Sequence, residues 1–189
     1  MDDLIKRILS EAEVDENGII RVDMFLNHQL DVELLEDIGA ELAKRFKSAK
    51  PDKVLTAESS GIAIAVFVAK ALKVPAVYAK KYQAGFIDPD VYSTETHSFE
   101  FDKSYTLRVS KRYLNEGERV LVVDDILSNG QAVLGLLELV ATAGAEAAGV
   151  GVAIEKANRE GGKVLRRMGI DVEALVTVQR AENGQITLA

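Results

Sequence analysis

The chain has 189 residues, enough for one domain that buries about 70% of its unfolded surface without a disulfide or metal staple. It has no cysteine, which excludes disulfides, thiolate zinc sites and cysteine nucleophiles, and two histidines, His28 and His97, cannot alone build a usual zinc site. Its 30 acids against 23 Lys and Arg give a net charge of −7, a poor balance for holding nucleic acid. Met1-Asp2-Asp3 starts acidic, and no apolar run approaches the roughly 20 residues of a membrane span. A cytoplasmic protein with neither nucleic-acid nor membrane partners is expected.

Residues 2–13 carry Leu4, Ile5, Ile8 and Leu9 at helical spacing, and Asp2 or Asp3 can cap that helix. Asn17-Gly18 signals a turn before a short strand at 19–22. Residues 31–46 repeat the helical pattern through Leu34, Leu35, Ile38, Leu42 and Phe46. Asp31 suits the N-cap, and Lys44, Arg45 and Lys47 suit the C-terminal end. An alternation follows Pro51. Strands are expected at 54–57, 75–78, 119–123, 149–154 and 172–178, and helices at 62–72, 131–143 and 159–168. Continuous apolar strands alternating with helices predict an α/β fold. Its central sheet would be mostly parallel and five-stranded, with helices on both faces, in a single domain over 1–189.

Residues 80–112 break the rhythm. They hold Pro89, several Ser and Thr, and Tyr82, Phe86, Tyr92, Phe99 and Tyr105, without helical period. Residues 106–109 fit half of a hairpin with the 98–101 region. An irregular insertion of this length reads as a lid or binding loop, although its aromatics would also suit a small satellite core.

The strongest local signal is Val120-Leu-Val-Val-Asp-Asp-Ile-Leu-Ser-Asn-Gly-Gln-Ala132. A buried strand ends in two acids, then a short turn with Gly130, then a helix. Ligands of open α/β sheets bind at the carboxyl ends of strands, and the first amides of the next helix face an anion. Amides for a phosphate beside carboxylates for hydroxyls, or for a metal, suit a phosphorylated sugar. An acidic strand end before a capped helix would read the same way. Lys156 lies just past the strand at 149–154, and a lysine only donates, so it would meet an acceptor such as an oxo group on a ligand rather than an amino group. It also fits a surface lysine paired with Glu155. Asn27 fits a cap or turn as well as a ligand contact, and Lys80-Lys81 fits a solvated face.

The segment 120–132 resembles the 5-phosphoribosyl-1-pyrophosphate (PRPP) signature of the type I phosphoribosyltransferases. The likeness runs over nearly the whole chain, through Val22-Asp-Met-Phe-Leu-Asn-His-Gln29, Glu58-Ser-Ser-Gly-Ile-Ala63 and Ile154-Glu-Lys156. These blocks are most similar to the bacterial branch of the family that uses xanthine. The resemblance implies a type I phosphoribosyltransferase fold, with residues 1–50 as N-terminal helices and purine-hood segment and 80–112 as a flexible hood. It implies transfer of phosphoribosyl from PRPP to xanthine, with Mg2+ accompanying PRPP and no direct protein ligand to the metal.

Ser128, Asn129, Gly130, Gln131 and Ala132 would hold the 5′-phosphate. Asp124 and Asp125 would contact the ribose hydroxyls, directly or through magnesium. Glu58, Ser59, Ser60 and Gly61 would form the pyrophosphate loop, with a strained backbone near Ser59. Lys80 or Lys81 would meet pyrophosphate, from its own or a partner subunit. Ile20, Asn27 and Lys156 would surround the purine, Tyr105 would belong to the hood, and the protein would be a homodimer.

Two departures stand out. Many relatives end the signature with Thr where this chain has Ala132, and other oxopurine branches place an Asp, a candidate general base, where Ser128 stands. Xanthine is acidic enough to need less help, so the missing carboxylate fits xanthine and leaves the base unassigned. A hypoxanthine/guanine enzyme and a non-catalytic PRPP sensor stay open as alternatives. The sensor reading is opposed by the acidic charge and the lack of a basic recognition helix.

Overall fold

The computed structural model describes residues 1–16, 18–81, 89–98, 103–182 and 184–189. Tyr82, Phe86 and Phe99, and the expected pairing of 99–101, lie outside the described residues, as does Asn17 of the turn signal. Helix α1 (Asp2–Glu11) buries Leu4 and Ile8, and its N-cap is Met1 without a side-chain cap; Asp2 and Asp3 sit inside the first turn instead. There they still complement the positive end of the helix dipole. A small antiparallel ribbon, β1 (Glu13–Val14) and β2 (Ile20–Arg21), follows. One turn of π-helix, Asp23–Asn27, buries Phe25 and Leu26. Helix α2 (Val32–Arg45) is capped as expected, with Asp31 Oδ1 accepting from Leu34 N at 3.2 Å.

The remaining elements are β3 (Lys53–Ala57), α3 (Gly61–Leu72), β4 (Ala76–Ala79), the hairpin β5 (Val91–Ser98) and β6 (Lys103–Ser110), then β7 (Arg119–Leu127), α4 (Gln131–Thr142), β8 (Glu146–Lys156), α5 (Gly161–Arg167), β9 (Val172–Glu182) and β10 (Gln185–Leu188). Among the described residues the main sheet has six strands in the order β10-β9-β8-β7-β3-β4. Five are parallel, and β10 adds an antiparallel edge against β9. The expected five-stranded sheet is thus corrected by one strand. Gln185-Ile-Thr-Leu188 alternates polar and apolar, but four residues make too short a run to mark a strand by period alone.

Strand period 2 divides the core. Leu121 and Val123 enter a cluster with α1, α2 and α3, while Val120 and Val122 enter one with α4, Leu165 of α5, and Leu107 and Val109 of the hairpin. The segment 80–112 is therefore not irregular where it is described. Strands β5 and β6 pair over eight residues, from Val91↔Ser110 to Ser98↔Lys103, so Thr106 faces Glu95 rather than the 98–101 region. Tyr92 and Tyr105 pack against the second cluster.

The sheet order fixes where a ligand can sit. From β3 the chain crosses by α3 to β4 on one side, whereas from β7 it crosses by α4 to β8 on the other. The two helices cover opposite faces. The winding therefore reverses between β3 and β7, and a crevice opens outside their carboxyl ends. No helix among the described residues is long and apolar enough to cross a membrane.

Candidate active site

A cavity of about 790 Å³ occupies this crevice. The five residues Ser128 to Ala132 line it, with Asp124, Asp125, Ser60, Ile20, Asn27 and Lys156. Segments more than 100 residues apart thus meet at one cavity. Glu58, Ser59, Gly61, Lys80, Lys81 and Tyr105 do not line the cavity.

The loop after β7 is shaped for an anion. Gly130, at φ +79°, turns the chain into α4, and the first intrahelical bond runs from Leu134 N to Gly130 O at 2.8 Å. The amides of Gln131, Ala132 and Val133 precede that bond and have no partner within the helix. Gly161, the first residue of α5, backs the loop. Its N–H donates to Ser128 O at 3.0 Å, and a Cβ there would lie 2.4 Å from Ser128 O and 2.8 Å from Gly130 N. Helix α5 is itself fixed by Arg166, whose two terminal nitrogens donate to the two oxygens of buried Glu155 at 2.6 and 2.7 Å.

Both acids of the motif are buried, in different surroundings. Asp125 Oδ2 accepts from Asn27 Nδ2 at 3.0 Å and Asp125 Oδ1 from Ser60 Oγ at 3.2 Å. The π-helical turn makes the first bond possible, because it turns Phe25 and Leu26 into the core and leaves Asn27 at the cavity. Asp124 Oδ1 accepts the Asp125 backbone N–H at 3.0 Å. Burial first, and the Asp125 charge second, push the Asp124 carboxyl well above the usual carboxylate range.

On the β3 side the Glu58–Ser59 peptide bond is cis, and Glu58 Oε2 accepts from Lys81 N at 3.0 Å. The Lys81 ammonium lies 5.0 Å from the centre of the Tyr105 ring. Burial, with the charge of Asp124 behind it, raises the Tyr105 phenol above its ordinary value, so it is neutral near pH 7. Lys80 pairs through its backbone with Arg108 of β6, tying the hairpin to the main sheet. The hairpin also rests on α4, where Thr96 Oγ1 donates to Gln131 O at 3.0 Å and Thr94 Oγ1 donates to Glu138.

At the opposite end, Lys156 is buried and its Nζ donates to Gly18 O at 3.0 Å, beside the wall made by Ile19 and Ile20. Glu155, its expected alternative partner, is engaged by Arg166. Arg21, Asp23, His97 and Arg159 line the cavity without having been singled out from sequence. Arg159 follows Lys156 by three residues, which was the available signal. His97 had none beyond its place in the insertion. Among the described residues no cluster of three or more His, Cys, Asp or Glu could hold a metal by itself. Paired carboxylates beside a phosphate cradle do suit magnesium, which takes hard oxygen donors from one or two carboxylates and shares substrate phosphates.

Known proteins carry the same architecture. The chain is 46% identical over 187 residues to xanthine phosphoribosyltransferase 1 of Clostridium perfringens, covering 98% of each chain. It is 44% identical over 187 residues to xanthine phosphoribosyltransferase of Ruminiclostridium cellulolyticum, covering 99% of this chain and 98% of the relative. Adenine phosphoribosyltransferases share the fold. The structure from Thermoanaerobacter pseudethanolicus superposes with a TM-score of 0.76 at 22% identity, covering 94% of this chain and 99% of that one. The Giardia lamblia enzyme complexed with 9-deazaadenine gives a TM-score of 0.75 at 22% identity, covering 92% and 97%. The family model for the phosphoribosyl transferase domain matches residues 22–174, which take in the turn after β3, the acidic end of β7 and the loop at 128–132, so the chain belongs to the phosphoribosyltransferase family.

Proposed function

We propose that this chain is a cytoplasmic, homodimeric enzyme that transfers phosphoribosyl from PRPP to xanthine, giving xanthosine 5′-monophosphate and pyrophosphate. One observation carries the reading. A single crevice joins an anion-binding loop, two buried carboxylates and, at its far end, a buried lysine beside an apolar wall. The near-full-length likeness to enzymes named for xanthine supports that choice of base. Exposed Val66 on α3 and Tyr78 on the edge strand β4 are in keeping with a face for a second copy.

In this reading the amides and the Ser128 hydroxyl at residues 128–132 hold the 5′-phosphate. Asp125, oriented by Asn27 and Ser60, has further lone pairs for the ribose hydroxyls, and Asp124 lies beside it. As the bond from C1 to pyrophosphate breaks, positive charge grows on the ribose, and these acids are placed to stabilise it. Glu58 to Gly61 and Lys81, with Lys80 next in the chain, are assigned to the pyrophosphate. When bound, magnesium supplies positive charge to the pyrophosphate oxygens. The hairpin with Tyr105 excludes water, which would otherwise hydrolyse PRPP. Lys156 donates to the 6-oxo group, Asn27 offers the purine a donor and an acceptor, and Ile20 supplies the wall.

Product formation from PRPP and Mg2+ with xanthine, hypoxanthine, guanine and adenine side by side tests the proposal. Xanthine well ahead is expected. Hypoxanthine or guanine ahead would overturn the choice of base, and PRPP binding without turnover of any purine would make the protein a sensor.

A further inference from the structure

Arg159 stands in the turn between β8 and α5. Its backbone N–H donates to Lys156 O at 3.0 Å, which folds the turn back towards the lysine, and the turn ends at Gly161 against the phosphate loop. Arg159 lines the same cavity as Lys156. Its Nε is shut off from water and has no hydrogen-bond partner among the described residues. The neighbouring cations are matched differently, Arg166 to both oxygens of Glu155 and Lys156 to Gly18 O. A guanidinium carries five donors, no acceptor and a permanent charge. The Arg159 guanidinium has no hydrogen bond or ion pair among the described residues, and its terminal nitrogens, rather than the occluded Nε, are the donors left for an acceptor that arrives with the ligand.

The purines differ at C2. Adenine and hypoxanthine carry hydrogen there, and guanine carries an amino group whose hydrogens would face the guanidinium donors. Xanthine presents a carbonyl oxygen, and its acidity adds negative charge to the same ring. Resting on the xanthine reading above, we propose that Arg159 is a specificity-determining residue whose guanidinium donates to the 2-oxo group of xanthine. Selection then acts twice. The arginine satisfies an acceptor that only xanthine brings, and it sets donor against donor when guanine enters.

The test uses the full chain with PRPP and Mg2+, and the variants Arg159→Ala, Arg159→Gln and Arg159→Lys. Each is assayed with xanthine, hypoxanthine and guanine, and again with PRPP varied at saturating base. Arg159→Ala is expected to lower kcat/KM for xanthine about 10- to 100-fold, as for a lost hydrogen bond to a charged group, with less than about a threefold change for hypoxanthine or in the KM for PRPP. Arg159→Lys, which keeps the charge without the planar fork, should recover part of the loss, and Arg159→Gln less. Equal loss with every purine in all three variants overturns the proposal. A raised KM for PRPP whatever the base also overturns it, and would put the guanidinium on the 5′-phosphate. A wild-type enzyme that ignores xanthine overturns the underlying reading as well, whereas a xanthine-active wild type with unselective variants removes the role of Arg159 alone.

Discussion

Replacing Gly161 with alanine tests whether α5 sets the shape of the phosphate loop. The new Cβ would lie 2.4 Å from Ser128 O, 2.8 Å from Gly130 N and 2.9 Å from Asn129 C, all backbone atoms of the loop. Ordinary carbon contacts begin near 3.5 Å, so relief needs about 1 Å of movement. Helix α5 resists moving, because Arg166 clamps it to buried Glu155 through two bonds. The loop therefore carries much of the shift. Overpacking of this kind costs about 1–3 kcal/mol, and a domain of this size loses about 2–4 °C of melting temperature per kcal/mol. A misplacement of 1 Å in a positioning element costs up to about 100-fold in rate, so we expect the KM for PRPP to rise about 10- to 100-fold with the KM for xanthine within about twofold.

Gly169→Ala is the control for this variant. Gly169 follows the same helix at φ +81°, and nothing lies within 4 Å of where its methyl would stand, so alanine there costs about 1–2 kcal/mol of backbone strain without touching the loop. Thermal melts and initial rates with each substrate varied separate the two. An unchanged KM for PRPP in Gly161→Ala, or a raised one in Gly169→Ala, would refute the reasoning.

Asp124→Asn should stabilise the protein at pH 8 and lower its turnover. With Asp124 raised by burial and then by Asp125, the native state binds its proton more tightly than the unfolded chain, so stability falls as pH rises from about 4 towards the raised value. The gain from Asn should therefore shrink on acidification towards pH 4, and melts that show no gain at pH 8 would count against a costly buried charge. Asp125→Asn should lower turnover at least about 100-fold while costing no more than about 2 kcal/mol, since the amide keeps one acceptor for Asn27 or Ser60. Comparable losses of activity and of folding would remove its proposed role. Arg166→Ala strips the partner from buried Glu155, and because Arg166 itself is half exposed the expected cost is about 2–3 kcal/mol in urea unfolding, with a rise in the KM for PRPP as α5 loosens.

What the sequence discloses is what is local. The run Val120 to Val123 reads as a strand buried on both faces, and alternate residues do enter opposite clusters. The turn from Asp124 to Ala132 is one continuous segment, so a strand end, a glycine turn and the free amides of a helix start are legible from residue types, and the anion-binding role we propose rests on them. The hairpin is harder to read because its buried face is partly polar. Thr94 and Thr96 alternate inward, but they answer to Glu138 and Gln131 O, so β5 lacks the hydrophobic period that Tyr105, Leu107 and Val109 give β6. The reversal between β3 and β7 leaves no mark in chain order, since only the pairing says that β7 lies beside β3 on the side away from β4. Gly161 owes its place to contacts with Ser128, Asn129 and Gly130, about thirty positions earlier, and no spacing rule reaches that far.

The two acids of the motif show most plainly why residue identity falls short of role. In sequence they are adjacent and interchangeable. In the fold they face different neighbours, because successive side chains of a strand point to opposite sides. Asp125 takes donors from Asn27 and Ser60, one from the π-helical turn and one from the turn after β3, so it ties those two segments together. Asp124 instead lies buried in the field of Lys81 and Tyr105 on the hood side, with the Asp125 backbone N–H as its donor. In the proposed roles, a change at the Asn27 end would reach the ribose through Asp125, and a change at the hairpin would reach it through Asp124. That division predicts different partners in double-mutant cycles: Asn27 should couple to Asp125, and Lys81 to Asp124, more strongly than either crossed pair.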